Sequence, residues 1–534
     1  MSAATLALST PRSARPAGDP RRAMLALARV EAVRLLRHPV TVAGLVLVLG
    51  SWLYPWLTGG ANRYPILHDQ DWSGQFLAML GWGGAAMVAA NLGVLRAHRH
   101  GTAAVFDVLN LRQHWRTGGF LLALVPLAAL AAGLAAARIG LLAALPGAAG
   151  APSPFEVAAY PAVVLLLGAA GVLLGRLVRA VFVAPLAVFA LFIATFASAL
   201  PGVPAARWLR WLLPVAYEEP PMPLPADLMT RPAGRHLAYL LALAIVVGVA
   251  ALLAAGARDR RLAAAGAAGL AVAVLAGSAQ FLPAGDQVRA ARVAAIEHPH
   301  QMQTCREIEQ VTYCAFDEFA PWIDGWDAVV RGVLRPVPDQ EAARPLAVRQ
   351  RISLDDRLDD GGYTWGPEDT RAQVDAWRAV DAAGGTPNAV TVGTRWGDGR
   401  SQVGLAGLVA YEVIARAGTP VVGSLCGARA VLVGWLAGQA TPATAAGLRE
   451  VDASSWGGVG LGDMLTAVAV TVPDREMAVV LELLRRPAGE VAGLVERHWA
   501  ELSAAGTPTE RAGEIFGAPV APLTPDEEQR ICEA

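Results

Sequence analysis

The chain has 534 residues, 54% of them hydrophobic and only 17% charged, a mean hydropathy of +0.41 and a formal net charge of -1. That hydropathy excludes a plain string of soluble domains, which the length alone would allow. The near-zero charge is an average of opposites. Residues 1–285 hold 22 Arg against 10 Asp and Glu, and residues 286–534 hold 22 Arg against 35.

No Lys occurs, so all 44 basic residues are Arg. A P-loop needs a Lys to reach the β- and γ-phosphates, and Schiff-base chemistry needs an amine, so both are excluded from this chain. Any ATP hydrolysis must come from elsewhere.

From the N-terminus, the stretch RRAMLALARVEAVRLLRHP (residues 21–39) reads as a basic amphipathic helix. Such a helix lies among headgroups, its Arg residues drawn to anionic membrane lipids. Seven apolar runs follow, at residues 39–57, 72–94, 118–141, 160–178, 181–200, 236–257 and 262–282. Each approaches the roughly 20 residues that a helical span requires. The fourth and fifth are joined tightly through Arg179, which leaves a re-entrant pair open as an alternative. The first run starts too late for a cleavable signal peptide.

The positive-inside rule orients the spans. A cytoplasmic N-terminus assigns 16 Arg to inner segments and five to outer ones. Seven crossings then place everything after Asp286 outside the cell (plasma) membrane, giving a basic tail and elbow (1–38), a membrane domain (39–285) and an extracytoplasmic domain (286–534). Within the membrane half, Arg138 near the outer end of the third run is either a pathway residue or a snorkelling side chain. Gly171 and Gly175 have the spacing of close helix packing.

Three features carry a resemblance: the elbow ending in RLLRHP, the inner loop LRAHRHGTAAVFDVLNLRQHWRTGG (residues 95–119), and the amphipathic insert PGVPAARWLRWLLPVAYEEPP (residues 201–221) with Trp208 and Trp211. In this order they resemble the transmembrane subunit of a type-2 ATP-binding cassette (ABC) exporter, over roughly residues 22–260. The resemblance implies that the 95–119 loop docks on a separate ATP-binding subunit through Arg99, Gly101, Phe106, Asp107 and Arg112. It also implies a second permease subunit, identical or related, and ATP–Mg held by the partner ATPase. No cofactor in this chain and no nucleic acid are expected. The seventh run and the large outer domain depart from the family's six-span plan.

After Asp286 the composition becomes that of a soluble domain, read as α-rich and mixed α+β. Helices are expected at residues 316–334, 403–418, 428–439 and 475–486, strands near Val348 and Val390, and loops at 355–366 and 457–463. The four cysteines, Cys305, Cys314, Cys426 and Cys532, allow three pairings; proximity favours Cys305–Cys314 with Cys426–Cys532. HExxH and GxSxG motifs are absent, and only three histidines, His298, His300 and His498, occur in this half. A membrane-anchored enzyme using Cys426 and His498, or an envelope receptor or assembly protein, are the rival readings.

Overall fold

The computed structural model describes residues 19–68, 72–102, 111–198, 210–215, 223–229, 231–282, 285–352, 367–416, 423–463, 466, 468–522 and 532–533. The chain is a polytopic helical bundle followed by a mixed α+β domain.

Helix starts in the bundle are written locally. Helix α1 (Pro20–Leu36) begins where the Asp19 carboxylate accepts the Arg21 amide at 2.9 Å. Helix α2 (Pro39–Thr58) begins behind His38, whose Nδ1 accepts the Val40 amide at 3.3 Å. In both, proline takes the first helical position, where its missing N–H costs nothing. Helices α3 (Trp72–Arg99), α4 (Gln113–Leu122) and α5 (Leu124–Ala143) follow, the last two forming one 31-residue apolar stretch. Helix α6 (Pro154–Leu177) is again opened by a cap and a proline, Ser153 and Pro154. Helices α7 (Val183–Ser198), α8 (Ala233–Ala254) and α9 (Arg260–Ala279) complete the bundle.

Among the described residues, six helices are long and apolar enough to cross a membrane. The fifth expected run is the exception. Its described part, α7, covers 16 residues, and residues 199–200 of that run lie outside the described residues. The chain still changes ends there. Helix α6 returns from the end carrying residues 144–153, and residues 223–229 lie back at that same end, packed with Ala149 in one core.

Bundle packing is centred on α3 and α6, which touch along their length. A Cβ on Gly171 would sit 2.1 Å from the Met87 carbonyl oxygen, so the helices meet backbone to backbone. Asn91, fully buried in α3, reaches the Gly171 carbonyl at 3.4 Å. The Gly171 and Gly175 spacing is therefore used within this chain.

Beyond α10 (Asp286–Glu297), the soluble domain carries two four-stranded mixed sheets. The first has strand order β1 (Gln303–Ile308), β2 (Val311–Phe316), β3 (Leu346–Gln350), β4 (Val390–Val392). Strands β1 and β2 form an antiparallel hairpin, and the other pairs are parallel. Helix α11 (Ile323–Leu334) crosses from β2 towards β3, and α12 (Pro367–Ala383) from β3 to β4. Helix α13 (Gly399–Ala415) leads to the second sheet. That sheet contains β5 (Gly423–Leu425), β6 (Val459–Asp463), β7 (Val468–Val472) and β8 (Cys532–Glu533), in the order β6, β7, β5, β8. Helices α14 (Gly427–Gln439), α15 (Pro442–Ser454), α16 (Asp474–Leu483), α17 (Ala488–Arg497) and α18 (Thr509–Phe516) fill the rest. Trp322, Trp326, Trp435, Tyr313 and Phe319 are buried in a core shared by the two sheets and these helices.

The four expected helices and both expected strands are present. The sheet content is larger than anticipated, and residues 459–463, expected as loop, form β6. Gly460 and Gly462 hide the strand in the sequence. A Cβ on Gly462 would lie 2.1 Å from the Val468 carbonyl oxygen, so the glycine lets β6 approach β7 closely. The expected loop at 355–366 lies outside the described residues.

Cys305 and Cys314 are joined by a disulfide across the β1–β2 hairpin, where they face each other in register. Cys426 is also disulfide-bonded. The strand containing Cys532 runs beside β5, with Ser424 opposite Cys532, but the Cys532 side chain lies outside the described set.

A buried charged knot joins the end of β3 to α12. Arg349 on β3 and Arg351 just past its end are two residues apart along an extended chain, so they share a face, and both meet Asp381 of α12. Arg349 Nε lies 3.0 Å from Asp381 Oδ1, and Arg351 donates to Asp381 Oδ2. Gln303 and Thr386 accept from the remaining Arg349 nitrogens at 2.8 and 2.9 Å, and Arg351 lies 5.1 Å over the Trp377 ring. Burial draws Arg351 down to about 10, against the opposing pull of Asp381. Replacing Asp381 with Ala would leave two guanidiniums buried without their carboxylate, a loss of about 3–5 kcal/mol. Chemical unfolding of the D381A chain, followed by tryptophan emission, should show this domain melting first.

Candidate functional site

The bundle has two ends, one carrying α1 and the other carrying the soluble domain.

At the elbow end, α1 buries Ala28, Glu31, Ala32 and Leu35, a stripe at helical spacing. Met24 and Leu27 lie over Gly118 and Gly119 of α4, where a Cβ would come within 2.9 and 3.1 Å of them. Glu31 is the exception to that apolar stripe and is only 2% exposed. Its carboxylate accepts from Arg34 at 2.7 Å and from Arg96 at 2.9 and 3.1 Å, tying the elbow to the last turn of α3. Sequence reasoning passed over Glu31. The available signal was a lone carboxylate on the inward face of a helix otherwise charged only by Arg.

Arg99 ends α3, and Gly101 follows in the left-handed conformation at φ 66°. The Thr102 amide returns to the Ala97 carbonyl at 2.9 Å and the Gly101 amide to His98 at 3.2 Å. This is a Schellman closure, which requires a residue tolerant of positive φ at that position. Gly101 therefore has a structural role whatever docks nearby. Arg112 sits at the cap of α4 with no side-chain capping bond. Arg99, Gly101 and Arg112 thus flank residues 103–110; Phe106 and Asp107 fall within that stretch, outside the described residues.

At the other end, the connectors between spans are built into the soluble domain. Trp322 Nε1 donates to the Gly147 carbonyl at 2.9 Å, and Asn62 donates to the Trp396 carbonyl at 3.3 Å. Arg292 reaches the Leu228 carbonyl at 2.9 Å, and the Glu318 carboxylate accepts the Ala226 amide at 2.9 Å. His68 Nε2 lies 2.7 Å from the Leu224 carbonyl and 3.6 Å from Glu318. Ala149, Leu224 and Leu228 are members of the soluble domain's own core.

Beneath this seam lie two small cavities sharing one carboxylate, Glu156. The first, about 30 Å³, is walled by Met79, Phe155, Trp211 and Val215 and also lined by His236 and the Glu156–Arg231 ion pair, 3.9 Å apart. The second, about 10 Å³, lies between α5 and α6 and contains Arg138 and Tyr160. Arg138 also lies 5.1 Å over the Trp52 ring, a cation–π contact between α2 and α5. Arg138 thus has a definite aromatic partner as well as a place beside a cavity.

In the soluble domain, Cys426 is disulfide-bonded, so its sulfur is not a thiolate nucleophile, and His498 lies 3.5 Å from Glu501. Among the described residues no cluster of three His, Cys, Asp or Glu side chains has the arrangement of a metal site.

No family model matches this chain, and no curated protein or solved structure is significantly similar to it.

Replacing Glu31 with Ala should free the elbow at a cost of about 1–3 kcal/mol and expose the Arg-rich helix. Trypsin cleavage within residues 21–37 should accelerate several-fold in detergent-solubilised protein. Arg34→Ala should have a smaller effect, because Arg96 still holds the carboxylate.

Proposed function

We propose that the chain is the membrane-spanning subunit of an ABC exporter, energised by a separate ATP-binding subunit that docks on the 95–119 loop. The observation that supports this reading best is the Glu31 clamp. It joins a basic membrane-surface helix to the end of α3 from which the loop departs. A displacement of that loop by a docked protein would pass to α1, α3 and α4 together, since all three meet there.

In this reading the N-terminus is cytoplasmic, the soluble domain is extracytoplasmic, and a second permease subunit completes the pathway. ATP and Mg bind to the partner, consistent with a chain that lacks Lys. The disulfide between Cys305 and Cys314 suits an oxidising compartment outside the cytoplasm.

Mechanism follows from the two ends. ATP-driven closure of two ATPases would push the 95–119 loops, and the Gly101 closure and Glu31 clamp would carry the motion into α3 and α1. At the far end, α3 and α6 join connectors that are part of the soluble domain, so the spans cannot rearrange without moving that domain or straining the seam. The soluble domain is thus part of the moving unit.

The test is purification of the tagged full chain from its native host. An ATPase should co-purify with the wild type, and the Arg99→Glu, Arg112→Glu double variant should lose it without a change in thermal unfolding midpoint. If no ATPase associates with the wild type and the double variant behaves identically, the proposal fails.

A further inference from the structure

At the end of the bundle that carries α1, one guanidinium is met by no carboxylate among the described residues. Arg176 stands in the last turn of α6, and Gly175 beside it packs on Asn91 and Val94 of α3. Val94 lies two residues before Arg96, so Arg176 is at the level of the Glu31 clamp. Its Nε is buried and has no hydrogen-bond acceptor. The charge that bears on it is Arg116, in the first turn of α4, and that charge has the same sign. The described carboxylates at this end are engaged elsewhere: Glu31 accepts from Arg34 and Arg96, Asp19 caps α1, and Asp259 caps α9.

A half-buried guanidinium without a counter-charge is costly, and a second one on the neighbouring helix adds repulsion. An anion between them relieves both. Position narrows which anion. Arg176 lies at the end of one membrane-length apolar stretch and Arg116 at the start of another. Both therefore sit at headgroup depth, where basic pockets between spans take lipid phosphates. Trp115, half-buried beside Arg116, suits the same interface. One turn deeper on the two helices come Phe120 and Leu173, both half-buried at the edge of a single apolar cluster. Paired guanidiniums above an apolar edge follow the order of groups in a phospholipid, and the guanidinium fork matches phosphate oxygens.

We propose that Arg176, together with Arg116, binds the phosphate of an anionic membrane phospholipid whose acyl chains lie along Phe120 and Leu173. A zwitterionic lipid offers the same phosphate but adds a cation that two guanidiniums repel, so the site selects headgroups of net negative charge. The bound lipid bridges the start of α4 and the end of α6 beside the Glu31 clamp. This binding does not rest on the permease reading, because it needs no ATPase.

The experiment uses the full chain purified in a neutral maltoside detergent, with bound lipids counted by native mass spectrometry. The probes are dioleoylphosphatidylglycerol and the zwitterionic dioleoylphosphatidylcholine. The wild type should retain one phosphatidylglycerol saturably and bind phosphatidylcholine about tenfold more weakly. Arg176→Gln should weaken phosphatidylglycerol binding about tenfold, and Arg116→Gln should weaken it in the same direction. Arg260→Gln removes an exposed Arg at the same end of the bundle and should bind as the wild type does, which separates a site from general attraction to a basic surface. Should Arg176→Gln lower the unfolding midpoint, Arg176→Lys keeps the charge while removing the planar fork, and its binding should still fall below that of the wild type. Excess inorganic phosphate should leave the retained lipid in place. Equal binding of the two lipids, wild-type binding by both Arg176 variants, or an equal loss in Arg260→Gln overturns the proposal. Displacement of the lipid by inorganic phosphate also overturns it, by assigning the site to a free anion. Failure of lipid binding with an ATPase still co-purifying would refute this inference and leave the permease reading standing.

Discussion

The indole of Trp322 donating to the Gly147 carbonyl is the contact on which the architecture turns. Trp322 is fully buried in the soluble domain, and Gly147 belongs to the connector between α5 and α6. A buried indole N–H without a partner would cost about 1–3 kcal/mol, so the domain's core is complete only when the bundle's connector is present. Gly147 is needed for the approach. A Cβ there would meet Tyr64 at 2.3 Å, and Tyr64 itself packs against the same core. The connectors after α2, after α5 and before α8 are consequently bound into one unit with the domain that follows the last span.

This constraint accounts for several features together. It places the soluble domain at the end of the bundle reached after α2 and α5. It requires the chain to change ends between α6 and residues 223–229, a stretch that includes α7. It also positions Arg231 over the cavity through the His68 carbonyl, so the charges near Glu156 depend on the seam above them. The opposite end is organised by a different charge, Glu31, which orders a basic surface helix by accepting from Arg34 and Arg96.

Much of the membrane half was legible in the primary structure because lipid imposes a strong length and composition rule. Helix starts at Pro20, Pro39 and Pro154 follow the same local chemistry of cap and proline. The soluble half was legible where periodicity was strong, as in α11, α13, α14 and α16, and less so in its sheets. Strands β5 and β6 are short and glycine-bearing, and β5 exists because β7 and β8, distant in sequence, supply its hydrogen bonds. Arg349 and Arg351 read as ordinary alternating strand residues; only the return of α12 with Asp381 makes them a buried knot.

What the sequence determined alone was local or additive: apolar length, the Arg bias between segments, the exclusion of Lys chemistry, the proximity of Cys305 to Cys314, and the basic elbow. These depend on neighbours within a few residues or on sums over a segment. Tertiary structure alone decided that Glu31 faces inward to Arg96, that Trp322 finds Gly147 across 175 positions, and that Glu156 pairs with Arg231 and lines both cavities. Each joins groups far apart in the chain, and their energies depend on burial and distance, which no local pattern encodes.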